Sequence, residues 1–324
     1  MTKGLCSWLL LWSLSWAALG QNDTQRYDEP QISADEVVEL LENLDSMILK
    51  HYLFPEKQKF IRQQIVSAQL QGKLLGAMPF GQLKIQLEAL LIEASQDSNF
   101  EIHYGAHNLG SNEISAPITT SSQANGNYPD KYTVAIEQFD KVGYLALSGN
   151  FLSLSALPDI DRAIQELSHN EALIIDLSSV GEGNMPLIQH LLGHWLSPDI
   201  PFLKLHFNPA QAPRLLYPAG QSEPMFNDVP TYVINSSFVL GPWEAFAYSL
   251  QQSGQAEVLG QDSMGLAYMT QQVQLSHSTQ LTMAVAIPSN PNSGENWYQQ
   301  GVQPDYPVAL DEALAAAIKL STAH

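Results

Sequence analysis

Apolar residues recur at three- and four-residue steps in the first third of the chain. Val37, Leu40, Leu41, Leu44, Met47 and Ile48 form one set, Phe60, Ile61, Ile65 and Leu70 a second, and Leu83, Leu87, Leu90 and Leu91 a third. Such steps place each set on one face of a helix. Ser33-Ala34-Asp35-Glu36 precedes the first set as a capping box with Ser33 at the N-cap, and Phe54-Pro55-Glu56 breaks the helix behind it. The pattern predicts a small helical domain over residues 32–95.

Past Asp97 the pattern shifts to short apolar runs. Residues 100–104 read as a strand, residues 105–130 as a loop rich in Gly, Ser, Asn and Thr, and residues 134–136 with 142–147 as a hairpin. Residues 160–167 are predicted helical. Residues 172–177 (ALIIDL) are a continuous apolar run, as in a strand covered on both faces. A helix over residues 185–196 follows, then a buried strand at 231–234, a helix opening near Trp243, a strand at 281–287, and an Ala-rich helix at 311–319 with Asp311 as its N-cap. Strands alternating with helices imply right-handed crossovers and an α/β core over residues 96–324.

Composition adds an address and excludes some partners. Lys3, the apolar run 5–14 and Ala18-Leu19-Gly20 read as a secretory signal over residues 1–20, followed by a polar linker over residues 21–31. Export to a periplasm or the extracellular space is expected, with no stable membrane insertion once the signal is cleaved. Cys6, the only cysteine, lies inside that signal, so the exported chain is expected to carry neither disulfide nor thiol nucleophile. The net charge of −19 argues against nucleic acid as a partner. No phosphate loop, dinucleotide fingerprint or thiol–metal cluster is present, so no cofactor is expected. His190 and His194 stand four apart on a predicted helix, as a zinc pair would. Leu191 follows His190 where a metalloprotease helix has glutamate, and with no third ligand evident they read as ordinary helix-face histidines; no metal is expected.

The chemistry-bearing stretch is residues 231–250, TYVINSSFVLGPWEAFAYSL: a buried strand, a polar turn, and a helix. A strand-to-helix turn is where many folds display a nucleophile, because the helix N-terminus favours negative charge. Here the turn offers Gly241-Pro242. The segment resembles the tail-specific protease family, family 41 of the serine peptidases, which includes C-terminal processing peptidases, the tricorn core and interphotoreceptor retinoid-binding protein repeats. That family reads Thr-Ala-Ser-Ala-x-Glu where this chain has Val239 to Glu244; Glu244, Phe246 and Ala247 match, and the serine place is Gly241. The family's Asp-Leu-Arg-x-Asn-x-Gly-Gly corresponds to residues 176–183, matching at Asp176, Leu177 and Gly183. Val258-Leu259-Gly260 with Gly265, and Asn296-Trp297 with Gly301-Val302-Gln303-Pro304-Asp305, resemble two later blocks. Residues 52–56 (YLFPE) resemble the helical segment that precedes some cores of the family.

The resemblance implies a Clp protease/crotonase-like α/β core of β-β-α units behind the helical domain. It also locates the catalytic positions. The lysine place is Asp262, the histidine place Asn99, and the glutamate place Tyr298. None of these, nor Gly241, can fill its role. The leading expectation is a non-catalytic relative that binds a peptide or small apolar ligand in the former cleft, shaped by Gly183, Gly241, Trp243 and Trp297. Two alternatives stay open: a peptidase with relocated groups (Ser236, Ser237 or Ser263, with His103 or His107 as base and Glu295 as acid), and a partner-binding module acting through its helical segment.

Overall fold

A computed structural model describes residues 29–105 and 130–322. The signal over residues 1–20, most of the linker, most of the loop 105–130 and His107 lie outside the described residues.

The helical segment holds α1 (Ala34–His51), α2 (Gln58–Leu70) and α3 (Phe80–Ser95), tied by a two-residue ladder of β1 (Gln31–Ile32) with β2 (Met78–Pro79). Ser33 caps α1 by accepting from the Glu36 N–H at 3.2 Å. The predicted return bond of the capping box is not made. The Glu36 carboxylate instead accepts from Ser276 and Ser278 hydroxyls, both at 2.5 Å, across the fold. The α2 stripe is also only half-used, since Ile61 is buried whereas Phe60 and Leu70 are exposed.

The remaining elements are β3 (Glu101–Tyr104), β4 (Lys131–Phe139), β5 (Val142–Asn150), α4 (Leu157–Leu167), β6 (Ala172–Val180), α5 (Met185–Leu192), β7 (Leu203–Phe207), β8 (Arg214–Leu216), β9 (Thr231–Asn235), α6 (Pro242–Gln252), β10 (Glu257–Gly260), β11 (Met269–Gln274), β12 (Thr279–Ser289), β13 (Tyr306–Pro307) and α7 (Leu310–Ser321). One sheet runs β13-β10-β9-β6-β5-β4, parallel except for the β4–β5 hairpin. Its residues alternate between two cores. Ala172, Ile174, Tyr232, Ile234 and Leu259 pack under Ala313 and Ala317 of α7. Leu173, Ile175, Val233 and Val258 face the main core with α4, α5 and α6. Both faces are covered, which is why ALIIDL is apolar throughout.

The second sheet was only partly foreseen. β12 pairs with β11 along one edge and with β3 and then β7 along the other, and β8 extends β7. The helical segment docks on it through α1 and α3: Leu53 N–H donates to Ala284 O at 3.0 Å, Asn43 to Leu275 O at 2.7 Å, Asn208 to Leu49 O and Tyr52 O, and Lys84 to Ile102 O at 2.8 Å. Their apolar faces join the main core rather than forming one of their own.

Two helix ends differ from expectation. α5 stops at Leu192, and residues 193–195 tighten into shorter backbone bonds, with His194 N–H on Leu191 O and Trp195 N–H on Leu192 O. α7 is capped by Ala309, which leaves Asp311 inside the first turn, where its charge complements the helix dipole.

Candidate functional site

The loops after parallel strands β6, β9 and β10 converge at the carboxyl end of the first sheet, where open α/β sheets bind ligands. The β6 loop is fixed by backbone and Asn bonds. Gly181 N–H donates to Gly149 O, Glu182 N–H to Asn150 Oδ1, and Asn184 caps α5 by accepting from Leu187 N–H at 2.9 Å. Asp176, a matched motif position, accepts from Tyr144 Oη and Ser178 N–H, so its work is to hold the strand end.

Gly241 follows β9 as the N-cap of α6, with φ 55° and ψ −117°. A residue with a Cβ is strained there. The elbow backbone is thus kept with no side chain on it. Its N–H donates to Glu244 Oε2 at 2.9 Å, and the next residue, Pro242, has no N–H. Trp243 is fully buried. Its ring meets Phe151 edge-on at 5.1 Å, and its indole lies against Gly183, where an added Cβ would come within 2.8 Å of Nε1. Gly183, Gly241 and Trp243 therefore form a packed wall, not the pocket lining expected from the sequence. Trp297 is buried too, its ring tilted against Tyr248 with centroids 4.8 Å apart, and both border a separate, polar cleft of about 500 Å³.

Glu244 is the hub behind this wall. Fully buried, it accepts from Gly241 N–H, Leu266 N–H at 3.0 Å, Gly265 N–H at 2.5 Å and Ser263 Oγ at 2.6 Å. Burial pushes its carboxyl above the ordinary range, opposed by those four donors.

An open cleft of about 300 Å³ lies beside it, lined by Phe54, Lys57, Asp97, Asn99, Tyr268 and Tyr298 among others. Two of the four positions that the resemblance marks as catalytic, Asn99 and Tyr298, are thus brought together from 199 residues apart in sequence (298 − 99). Asp262 is exposed and not in the lining. Asn99 donates through both its N–H and its amide to Asp97 Oδ1, and Asp97 also accepts from Tyr52 Oη at 2.8 Å. Tyr298 packs at a tilt against Tyr268 with centroids 4.4 Å apart. Lys57, Asp97 and Tyr268 are site residues that sequence reasoning missed; the YLFPE phrase ends one residue before Lys57.

The sequence pattern of peptidase family S41 matches residues 141–308, from the turn of the β4–β5 hairpin to the approach to α7. The chain belongs to peptidase family S41. Within that family it is similar to the carboxy-terminal processing protease CtpB of Bacillus subtilis (strain 168), 22% identical over 182 residues, a stretch that covers 55% of this chain and 36% of that protein. The chain thus matches little more than a third of that relative's length. Two solved structures share the α/β fold over most of its length. A lipoprotein from Streptococcus agalactiae is 13% identical with a TM-score of 0.63, covering 89% of this chain and 96% of that one. A photosystem II D1 C-terminal processing protease is 14% identical with a TM-score of 0.58, covering 86% and 94%.

Among the described residues, the substitute groups do not come together as a triad. Ser236 is buried and donates to Ser178 O at 3.0 Å. Ser263 donates to Glu244 and accepts from Val302 N–H at 2.7 Å. Ser237 is exposed with no histidine partner among the described residues. His103 sits on β3 and bonds Thr282 Oγ1 at 2.9 Å. Glu295 is exposed and bonded through its carbonyl to Tyr248 Oη.

That Tyr248 bond gives a prediction. Burial, reinforced by the Glu295 charge, pushes the Tyr248 phenol up to about 12. A raised phenol holds its proton in the fold, so its contribution is complete below about pH 10 and is lost as pH rises towards about 12. Tyr248→Phe should be about 1 kcal/mol less stable than the parent at about pH 9, from the lost hydrogen bond, with the difference closing by about pH 11. Urea unfolding of both proteins at the two pH values checks this; a gap that stays constant would mean that the phenol ionises as freely in the fold as in water.

Proposed function

We propose that this S41 chain is an exported, non-catalytic member of its family that holds an extended peptide or small apolar ligand in the cleft between Phe54, Tyr268 and Tyr298. The observation that carries the reading is the elbow itself. At the nucleophile position stands Gly241, its N–H is committed to Glu244, and Pro242 removes the next donor. A tetrahedral intermediate would find neither an attacking oxygen nor a free pair of backbone donors there. The neighbouring cleft has a mixed lining, Phe54, Met264, Leu266, Tyr268 and Tyr298 beside Lys57, Asp97, Ser98 and Asn99, which suits an extended peptide with apolar side chains and a polar backbone. Export is supported by the leader-like residues 1–20, and among the described residues no helix is long and apolar enough to cross a membrane.

Treatment of the purified chain with a fluorophosphonate, read by intact mass beside a peptide-library cleavage assay, should give no adduct and no cleavage. A single-site adduct with cleavage would overturn the reading and name a relocated serine. Gly241→Ser should remain inactive as well. The new hydroxyl would find Asn99 and Tyr298 at the places of the base and the acid, while the cleft's Lys57 is tied to Ser95 O and its Asp97 to Tyr52 and Asn99, and the strained backbone at this φ costs about 1–3 kcal/mol. Hydrolysis by Gly241→Ser well above the parent's background would show that a base had been overlooked.

A further inference from the structure

Away from the cleft, α4 and α5 bring three ligand-type side chains to one point. We propose that Asp161, His190 and His194 form a binding site for one first-row divalent cation of the zinc class, clipping α4 to the C-terminal end of α5.

Sequence spacing supplied the two histidines, and the fold supplies the missing third group. Asp161 Oδ1 lies 2.6 Å from His190 Nε2 and 3.8 Å from His194 Nε2, and one ligand atom from each residue lies within 4.8 Å of the others. A tetrahedral zinc with bonds of about 2.0–2.2 Å needs its ligand atoms roughly 3.3–3.6 Å apart. The two Asp161 separations bracket that value, and the third, within 4.8 Å, is longer by at most about 1.5 Å, so the cation requires side-chain shifts of about 1 Å. The imidazole rings meet edge to face with centroids 5.6 Å apart.

His194 is the second, independent observation. It is 2% exposed, and neither ring nitrogen has a hydrogen-bond partner among the described residues. A buried imidazole kept only for packing is expected to satisfy at least one nitrogen. Around it stand Trp195 and Phe226, which offer the ring no acceptor, and the ring edge closest to a polar group faces Asp161. Gly220 makes room on the other side: with φ 92°, a Cβ there would come within 2.6 Å of His190 Nδ1. Asp161 is half-exposed, which gives the cation a path in and leaves a coordination position for water. Two imidazoles and one carboxylate suit zinc, cobalt or nickel rather than calcium or magnesium.

The competing account is a plain Asp161–His190 ion pair with His194 as filler. The test uses the tag-free chain, stripped with a chelator, dialysed and titrated with zinc chloride by calorimetry, with thermal melts alongside and cobalt(II) replacing zinc for its ligand-field spectrum. One equivalent of zinc, a raised melting temperature and a tetrahedral cobalt spectrum are expected. Because His194→Ala removes a buried ring and risks unfolding, the decisive variant is Asp161→Asn at the exposed edge. It should keep the fold and weaken zinc binding at least about 100-fold, beyond the loss typical of an outer-shell partner. No saturable zinc binding by the parent, or one-equivalent binding unchanged in Asp161→Asn, would overturn the site.

Discussion

Glu244→Ala is expected to destabilise the protein by about 4 kcal/mol, through at least three buried donors left without an acceptor at about 1–3 kcal/mol each. The carboxylate has no cationic partner among the described residues and is held by hydrogen bonds alone: Gly241, Gly265 and Leu266 through N–H groups, and Ser263 through its hydroxyl. Alanine strips the acceptor from all four at once, and the site is too enclosed for bulk water to replace it. Glu244→Gln keeps the shape and one oxygen but turns an NH2 towards two donors, so a loss of about half that size is expected. Urea midpoints for the three proteins check the ranking. If Glu244→Ala fell within about 1 kcal/mol of the parent, the donors would have found other acceptors and the hub would not set the elbow.

The second large effect is expected at Gly301. Its φ is 75°, and a Cβ there would strike the backbone of Ser263: inside contact distance of the carbonyl oxygen, and 2.9 Å from both the carbonyl carbon and the nitrogen. Backbone cannot swing aside as a side chain can. Displacing it would also break the Val302–Ser263 pair and disturb Asp305, which accepts from Val258 N–H at 2.8 Å on β10. Gly301→Ala should therefore lose at least about 3 kcal/mol. Gly294 is the internal control. It has nearly the same φ, 76°, but nothing within 4 Å of its would-be Cβ, so Gly294→Ala should lose only about 1 kcal/mol. Equal losses in thermal melts of the two variants would mean that conformation, not the Ser263 contact, selects glycine at 301.

These two sites show what could be read from the sequence. The Gly-Val-x-Pro-Asp block was legible as a pattern, and its physical content is the close approach to Ser263. Glu244 was legible as a match, but its partners stand 19 to 22 residues away on another loop, so its task as a hub was not. Strands β6 and β9 and helices α1, α3 and α4 were legible because burial on a fixed face writes a period into the residues. Much of the second sheet was not. β11 reads MTQQVQ and β8 is three residues long, and they become strands by pairing with β12 and β7 rather than through their own apolarity. At the candidate site, the proposal of a non-catalytic chain rests on residue types legible in the sequence: Gly241, Asn99, Asp262 and Tyr298. That Trp243 and Trp297 are buried supports, and that Lys57, Asp97 and Tyr268 line the opening, depends on contacts between segments far apart in the chain.

The cleft also has a mechanical meaning. One bank is built by residues 54–57 and 96–99 of the helical segment and its exit, the other by residues 264–268 and 298–299 of the core. It is a seam, and whatever fills it touches both banks. A ligand there would act as a rivet, slowing the helices' transient lifting from β12 and making amides such as Leu53, which donates to Ala284, slower to exchange with solvent. Occupancy of the cleft would then be read out as the grip of one part of the chain on the other.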